Sequence, residues 1–384
     1  MVNKIREAGI IPGLHFLQTH MGVKTRYVTH VVDYRLNLKR HFTLAKPLSK
    51  DDTTIYVEEN PRGSVKHEKC RVLRFGGEAI YYEGFTTERP YCFTGCRRGH
   101  YDTYVTDHPL GEIGGILDVS EYLATSLYID QRTSIQDEIA EHLAEAYNTG
   151  FGFVYYDGSE GATEPYEIYI PYSQYRVYNK LEKEPLFCEG AAKSHFSWHM
   201  LSGGNAFDSF RMDEFKKKIA EFPLCEAAEM AKDFTRVNFG WWRFAEDTRA
   251  DIFEYGTSKV ASWDCPISFG YRKESENHPR IDDILEVIKR WEEVREKHIL
   301  TDADKLMLRD PKREFTMLIN ENGEYELTEY FQIEMPDDEV TAFSFERNGR
   351  SYVVCWHNKG KGTLTLNLGC DAVYEKELGG KNCI

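Results

Sequence analysis

No CxxC pair occurs among the nine cysteines, Cys70, Cys92, Cys96, Cys188, Cys225, Cys265, Cys355, Cys370 and Cys383. That removes the usual spacing of zinc ribbons and fingers, leaving one isolated CxxxC at Cys92 and Cys96. An odd total scattered along the chain reads as buried free thiols, and no structural metal or other cofactor is expected. Long apolar runs are missing too. No segment approaches the roughly 20 residues that span a bilayer, and nothing after Met1 resembles a signal peptide. A basic excess is also lacking. The net charge of −15 argues against nucleic acid, because phosphate binding needs clustered Lys and Arg.

What the 384 residues do contain is enough apolar character, 41%, for two or three domains with sizeable cores. Aromatics reach 14%, with 24 Tyr, 22 Phe and 6 Trp. Sugar rings have apolar faces that stack on aromatic rings, so this abundance suits an oligosaccharide or polysaccharide partner. It equally suits β-rich cores filled by Tyr and Trp.

The pattern along the chain is α/β. A helix over Val2 to Gly9, closed by its glycine, leads into an apolar strand, Ile10 to Leu17, tipped by His15, Gln18, Thr19 and His20. Polar residues at the C-terminal end of a buried strand are the arrangement of a barrel or a doubly wound sheet. From about Phe42 to His108 short strand signals separated by turns predict a small all-β insertion. Barrel alternation then resumes. A helix near Ser134 to Asn148 precedes the strand Gly152 to Tyr156, and a helix near Tyr166 to Leu181 precedes Leu186 to Glu189. Helices near Met212 to Phe222 and Asp247 to Tyr255 precede strands Val237 to Trp242 and Val260 to Asp264, and the helix Ile281 to His298 closes the series. Five strands where a closed barrel needs eight predict a (β/α)8-type barrel lacking its N-terminal units, with an open five-stranded sheet as the alternative. On that reading the parent protein is longer, and periplasmic or extracellular. From about Arg313 alternation at period two predicts a C-terminal β-sandwich, its last strand near Thr363 to Leu368. The domains are thus 1–41 with 109–300 for the barrel, 42–108 for the insertion and 310–384 for the sandwich.

The chemistry centres on Tyr155-Tyr156-Asp157-Gly158-Ser159-Glu160-Gly161. A buried strand delivers two carboxyl groups to its C-terminal tip, and glycines let a substrate approach closely. Glycoside hydrolysis needs two carboxyl groups. Asp157 is the candidate nucleophile or charge stabiliser, with Glu160, or Glu189 from the next strand, as its partner. The competing readings are an Asp that caps a turn and a salt-bridged structural Glu. Candidate substrate contacts are His15, His195, Trp198, His199, Trp241, Trp242, Arg243, Trp263 and Asp264. The i, i+4 spacing of His195 and His199 also fits a metal pair on a helix, but no third ligand follows, so hydroxyl binding beside Trp198 is preferred.

Two resemblances follow from these motifs. Thr43-Leu44-Ala45, Ile55-Tyr56-Val57, Gly77 to Tyr82 and Thr94-Gly95-Cys96-Arg97-Arg98-Gly99 resemble a compact module of phage tail proteins and some glycan-degrading enzymes. Gly9-Ile10-Ile11-Pro12-Gly13-Leu14-His15-Phe16, then Phe153 to Gly158, then Ser262-Trp263-Asp264-Cys265-Pro266, resemble the melibiase-like barrel enzymes, which include α-galactosidases. The order is similar also to large barrel proteins of gut-bacterial glycan-utilisation systems. The melibiase resemblance implies a glycosidase barrel in which the Asp ending a Tyr-Asp-Gly strand, here Asp157, is the nucleophile. Two other functions compete with the hydrolase. A polysaccharide lyase acting on uronates would use His195, His199 or Tyr156 as base and Lys193 or Arg243 as cation; a glycan-binding protein would show affinity without turnover.

Overall fold

The computed structural model describes residues 1–65, 67–122, 125–159, 161–190, 194, 196–205, 214, 216–217, 236–238, 241–243, 248–265, 267–336, 338–358 and 365. The chain divides into two compact units, Met1–Phe207 with Ala228–Phe239, and Asp208–Ala227 with Gly240–Ile384.

In the first unit the helix Val2–Glu7 ends at Gly9, whose φ of +77° suits a residue without a Cβ. Five strands then form one parallel sheet in chain order: Gly13–Phe16, Phe153–Tyr156, Cys188–Gly190, Gly203–Asn205 and Arg236–Asn238. A parallel sheet whose spatial order equals its chain order winds one way, as a barrel arc does, whereas a doubly wound sheet reverses. The described strands close no barrel.

Period two divides this sheet into two faces. Leu14, Phe16, Val154, Tyr156 and Cys188 pack with Ala140, Tyr147 and Val177, which come from the helices Ile135–Asn148 and Tyr166–Tyr178. Alternation sends His15, Tyr155 and Glu189 to the opposite face, where they occupy one register row.

Between the first two parallel strands lie a largely β stretch and then the helix Ile135–Asn148. Leu38–Thr43, Ile113–Leu117, Val72–Phe75, Glu78–Tyr81 and Arg97–His100 form a five-stranded antiparallel sheet around Phe42, Phe75, Tyr82, Phe93 and Ile116. A second core, including Leu36, Leu117 and Leu127, takes in Ile135 and Ile139 and so fastens this sheet to the Ile135–Asn148 helix. The chain returns through Ser126–Tyr128, which pairs antiparallel with His20–Gly22.

The second unit departs from the expected order. Residues expected as a strand from Val260 to Asp264 instead finish the helix Ala250–Ala261 and its closing turn. Phe253, Thr257, Val260 and Ala261 are all buried at helical spacing, and that period outweighs the local run of strand formers. The expected strand Val237 to Trp242 is divided. Arg236–Asn238 belongs to the five-stranded sheet, and Trp241–Arg243 pairs in parallel with Ser268–Gly270. The helix Ile281–Glu296 matches its expectation, whereas the one near Met212 to Phe222 falls mainly outside the described residues. Glu314–Ile319, Tyr325–Gln332, Val340–Arg347 and Arg350–His357 form an antiparallel meander. Phe315 and Met317 from it share a core with Ala261, Trp291, Val294 and Leu308. The facing sheet of a sandwich is not among the described residues, and the expected strand near Thr363 to Leu368 lies outside them except for Thr365.

Candidate functional site

Asp157 follows the strand Phe153–Tyr156, and its backbone N–H donates to the Phe16 carbonyl at 3.0 Å, which carries the parallel pairing one residue further. Alternation therefore returns Asp157 to the face of His15 and Tyr155. There His15 Nε2 lies 3.0 Å from Asp157 Oδ2, and the Tyr122 hydroxyl donates to the same oxygen at 3.2 Å. The His15 ring meets Tyr155 edge-on at 5.0 Å. Partial burial pushes the Asp157 carboxyl up, but His15, the Gly158 N–H and Tyr122 together outweigh it and hold the group below its ordinary range. Asp157 is therefore a carboxylate at neutral pH.

The loop behind it explains both glycines of the motif. Gly158 has φ +65°, and a Cβ there would lie 2.6 Å from Leu17 and 3.0 Å from His20. A Cβ on Gly161 would lie 2.5 Å from the Tyr128 ring. The Gly158 carbonyl accepts from Thr19 Oγ1 at 3.1 Å, and the Gly161 N–H donates to the Tyr128 hydroxyl at 2.9 Å. Beneath, the Gln18 amide donates to the fully buried Ser159 and to Ser173.

Tyr122 and its neighbour Glu121 were not singled out by the sequence. They come from the stretch between Ile113–Leu117 and Ser126–Tyr128, on the return from the antiparallel sheet. Glu121 Oε2 accepts from the Tyr128 hydroxyl at 2.7 Å and lies 3.8 Å from His20 Nε2. Burial pushes the Glu121 carboxyl up, but His20 and Tyr128 bring it below its ordinary value. His20 packs on Tyr128 at 4.2 Å and meets Tyr122 at 5.8 Å.

The remaining candidates are distributed as follows. Glu189 is buried and in register with Tyr155, so it shares the face of Asp157, one strand over and two residues back. Glu160, His195 and Lys193 lie outside the described residues. Trp198, 68% exposed, and His199 gather beside the exposed Tyr175 on the outer surface of the Tyr166–Tyr178 helix. Trp241, Trp242, Arg243, Trp263 and Asp264 belong to the second unit. Trp242 is core, packed on Phe253. Trp263 lies under the Arg309 guanidinium at 3.7 Å, and Asp264 accepts from Lys305 Nζ at 2.8 Å. For Trp241 and Arg243 only their strand position is described.

A concavity of about 510 Å³ lies at the opposite ends of the strands, lined among others by Arg6, Pro12, Tyr147, Phe151 and Lys183. Parallel α/β sheets bind ligands at the C-terminal strand ends, which favours the Asp157 end in spite of that hollow. No described helix is long and apolar enough to cross a membrane.

No protein-family model matches the sequence, and no curated protein does. Among solved structures, similar chains include a GH27 β-L-arabinopyranosidase from Geobacillus stearothermophilus, 10% identical with a TM-score of 0.34, covering 62% of this chain and 53% of that one. Amy13B from Eubacterium rectale is 8% identical with a TM-score of 0.38, covering 93% of this chain and 71% of that one. The type III pullulan hydrolase from Thermococcus kodakarensis is 12% identical with a TM-score of 0.29, over 59% and 45%. The chain thus spans about half the length of the arabinopyranosidase, 53%. These neighbours are glycoside hydrolases.

Proposed function

We propose that this chain is a glycoside hydrolase of the barrel type, acting on an oligosaccharide or polysaccharide, with Asp157 as its central carboxylate. The domain limits read from the sequence belong to the same proposal. The observation that carries it is the carboxylate of Asp157 at a C-terminal strand end, ionised by His15 and Tyr122 on the face away from the helices. An ionised carboxylate beside an anomeric carbon attacks it or stabilises the positive charge that develops there, while a second carboxyl group handles the proton.

Glu189 is the preferred second group. Diagonal neighbours on one sheet face have Cα atoms about 7–8 Å apart, compatible with carboxyl separations of roughly 5–9.5 Å in hydrolases of either stereochemistry. Glu160 remains the alternative partner from the same loop. His15, half-exposed against the Asp157 oxygen, is placed to bind a substrate hydroxyl.

A uronate-directed lyase fits less well, because the substrate carboxylate would meet Asp157 and Glu121, both anionic. Asp157→Asn tests the proposal. Turnover of the preferred glycoside falls by at least about a thousandfold while its binding persists; full activity in this variant would refute the carboxylate mechanism. Affinity with no turnover in the unmodified protein would make it a glycan-binding protein instead.

A further inference from the structure

Glu121 and Tyr122 lie in the chain between the strands Ile113–Leu117 and Ser126–Tyr128, and the Tyr122 hydroxyl is bonded to Asp157. Glu121, one residue away, presents a carboxylate whose side chain is 43% exposed. Tyr128 fixes one of its oxygens by a 2.7 Å hydrogen bond.

Facing that carboxylate is the buried His20, 7% exposed, one of whose ring nitrogens, Nε2, makes no hydrogen bond. Its other nitrogen, Nδ1, lies 3.2 Å from Thr19 Oγ1. The Thr19 hydroxyl has a single proton, which it gives to the Gly158 carbonyl at 3.1 Å, so it accepts from Nδ1–H. In the neutral ring, Nε2 is then an acceptor, directed at the acceptor Glu121 across 3.8 Å. In that ring form two acceptors face each other, whereas a protonated ring turns its Nε2–H toward the Glu121 carboxylate. An unpaired buried acceptor is costly, so the neutral ring leaves room for a donor from outside. A hydroxyl of a bound sugar supplies what is missing, donating to one of them while lying within reach of both.

We propose that the β insertion completes the Asp157 site by supplying Glu121, which with His20 binds a hydroxyl group of a neutral sugar. The assignment rests on the glycosidase reading and deepens it. Glu121 is a specificity-determining contact, and the anionic pair Glu121 and Asp157 excludes uronates.

The test uses the full chain and a panel of p-nitrophenyl α- and β-glycosides of neutral hexoses, neutral pentoses and glucuronic acid. Glu121→Gln keeps an oxygen for Tyr128 to donate to and removes the charge, and its exposed position leaves the melting curve unchanged. The expected result is a KM raised about ten- to hundredfold for the best neutral glycoside, the loss of one charge-assisted hydrogen bond, with kcat within about threefold. Glu121→Asp recovers part of the loss. An unaltered KM in Glu121→Gln, or a glucuronide as the best substrate, overturns the assignment. The two layers separate through Asp157→Asn. If it abolishes turnover while Glu121→Gln keeps its KM, only the Glu121 assignment falls; if it stays active, or if the wild type cleaves no glycoside, the glycosidase reading falls and takes the assignment with it.

Discussion

Tyr122 shows how a single hydrogen bond would set the working pH range of the proposed site. Its hydroxyl helps to hold Asp157 in the ionised form against the upward push of burial. Tyr122→Phe removes that donor, so the Asp157 pKa rises. The acidic limb of the kcat/KM profile should then move to higher pH, with a rate loss near the optimum of about tenfold or less. A profile that keeps its acidic limb in place would show that Tyr122 does not act on Asp157. The positions of Asp157 and His15 at or near strand tips were legible in the sequence because each follows or belongs to an apolar run. Glu121 and Tyr122 were not, since they reach the site only through the pairing of His20–Gly22 with Ser126–Tyr128, far apart in the chain. Trp242 carried a misleading signal: a tryptophan near a strand end suggested a sugar platform, and burial makes it core.

Among the elements, the loop after the Phe153–Tyr156 strand has the least room for change. A Cβ on Gly158 would meet Leu17 at 2.6 Å, and the φ of +65° disfavours any side chain. Gly158→Ala should destabilise the protein by about 1–3 kcal/mol, read by urea denaturation, and should lower turnover because Asp157 is displaced with its loop. A variant as stable as wild type would contradict the described packing. The same principles explain the misread element of the second unit. Val260-Ala261-Ser262-Trp263 has strand-like composition, but it follows Phe253 and Thr257 at helical intervals, and the longer period prevails. Trp291 anchors that region, its Nε1 donating to Glu254 at 2.6 Å within the core of Phe315 and Met317. Trp291→Ala should cost about 3–5 kcal/mol, visible as a lowered denaturation midpoint.

At the scale of the whole molecule, alternation of helices and strands made the mixed α/β content legible. The exact strand set was not. Gly203–Asn205 is too short and too glycine-rich to signal a strand, and it is held by its parallel neighbours on both sides. Stability against pH should report on the insertion. Burial pushes Glu78 up, but His108, Arg98 and two backbone N–H groups outweigh it and bring its carboxyl to about 2. Burial pushes His108 down, but Glu78 and Glu112 outweigh it and raise its value above 6.5. The depressed Glu78 contributes stability above about pH 4.5 that is lost as pH falls toward 2. The raised His108 contributes stability that is full below 6.5 and lost as pH climbs through its folded-state value. Stability should therefore be greatest between these limits, with the acid limb worth on the order of 3 kcal/mol. Glu78→Gln should flatten both limbs in denaturation series across pH. The measurement that bears most directly on the central claim is turnover and binding of a neutral glycoside by Asp157→Asn. Loss of turnover by at least about a thousandfold with binding retained is the predicted result, and hydrolysis at the wild-type rate would contradict it.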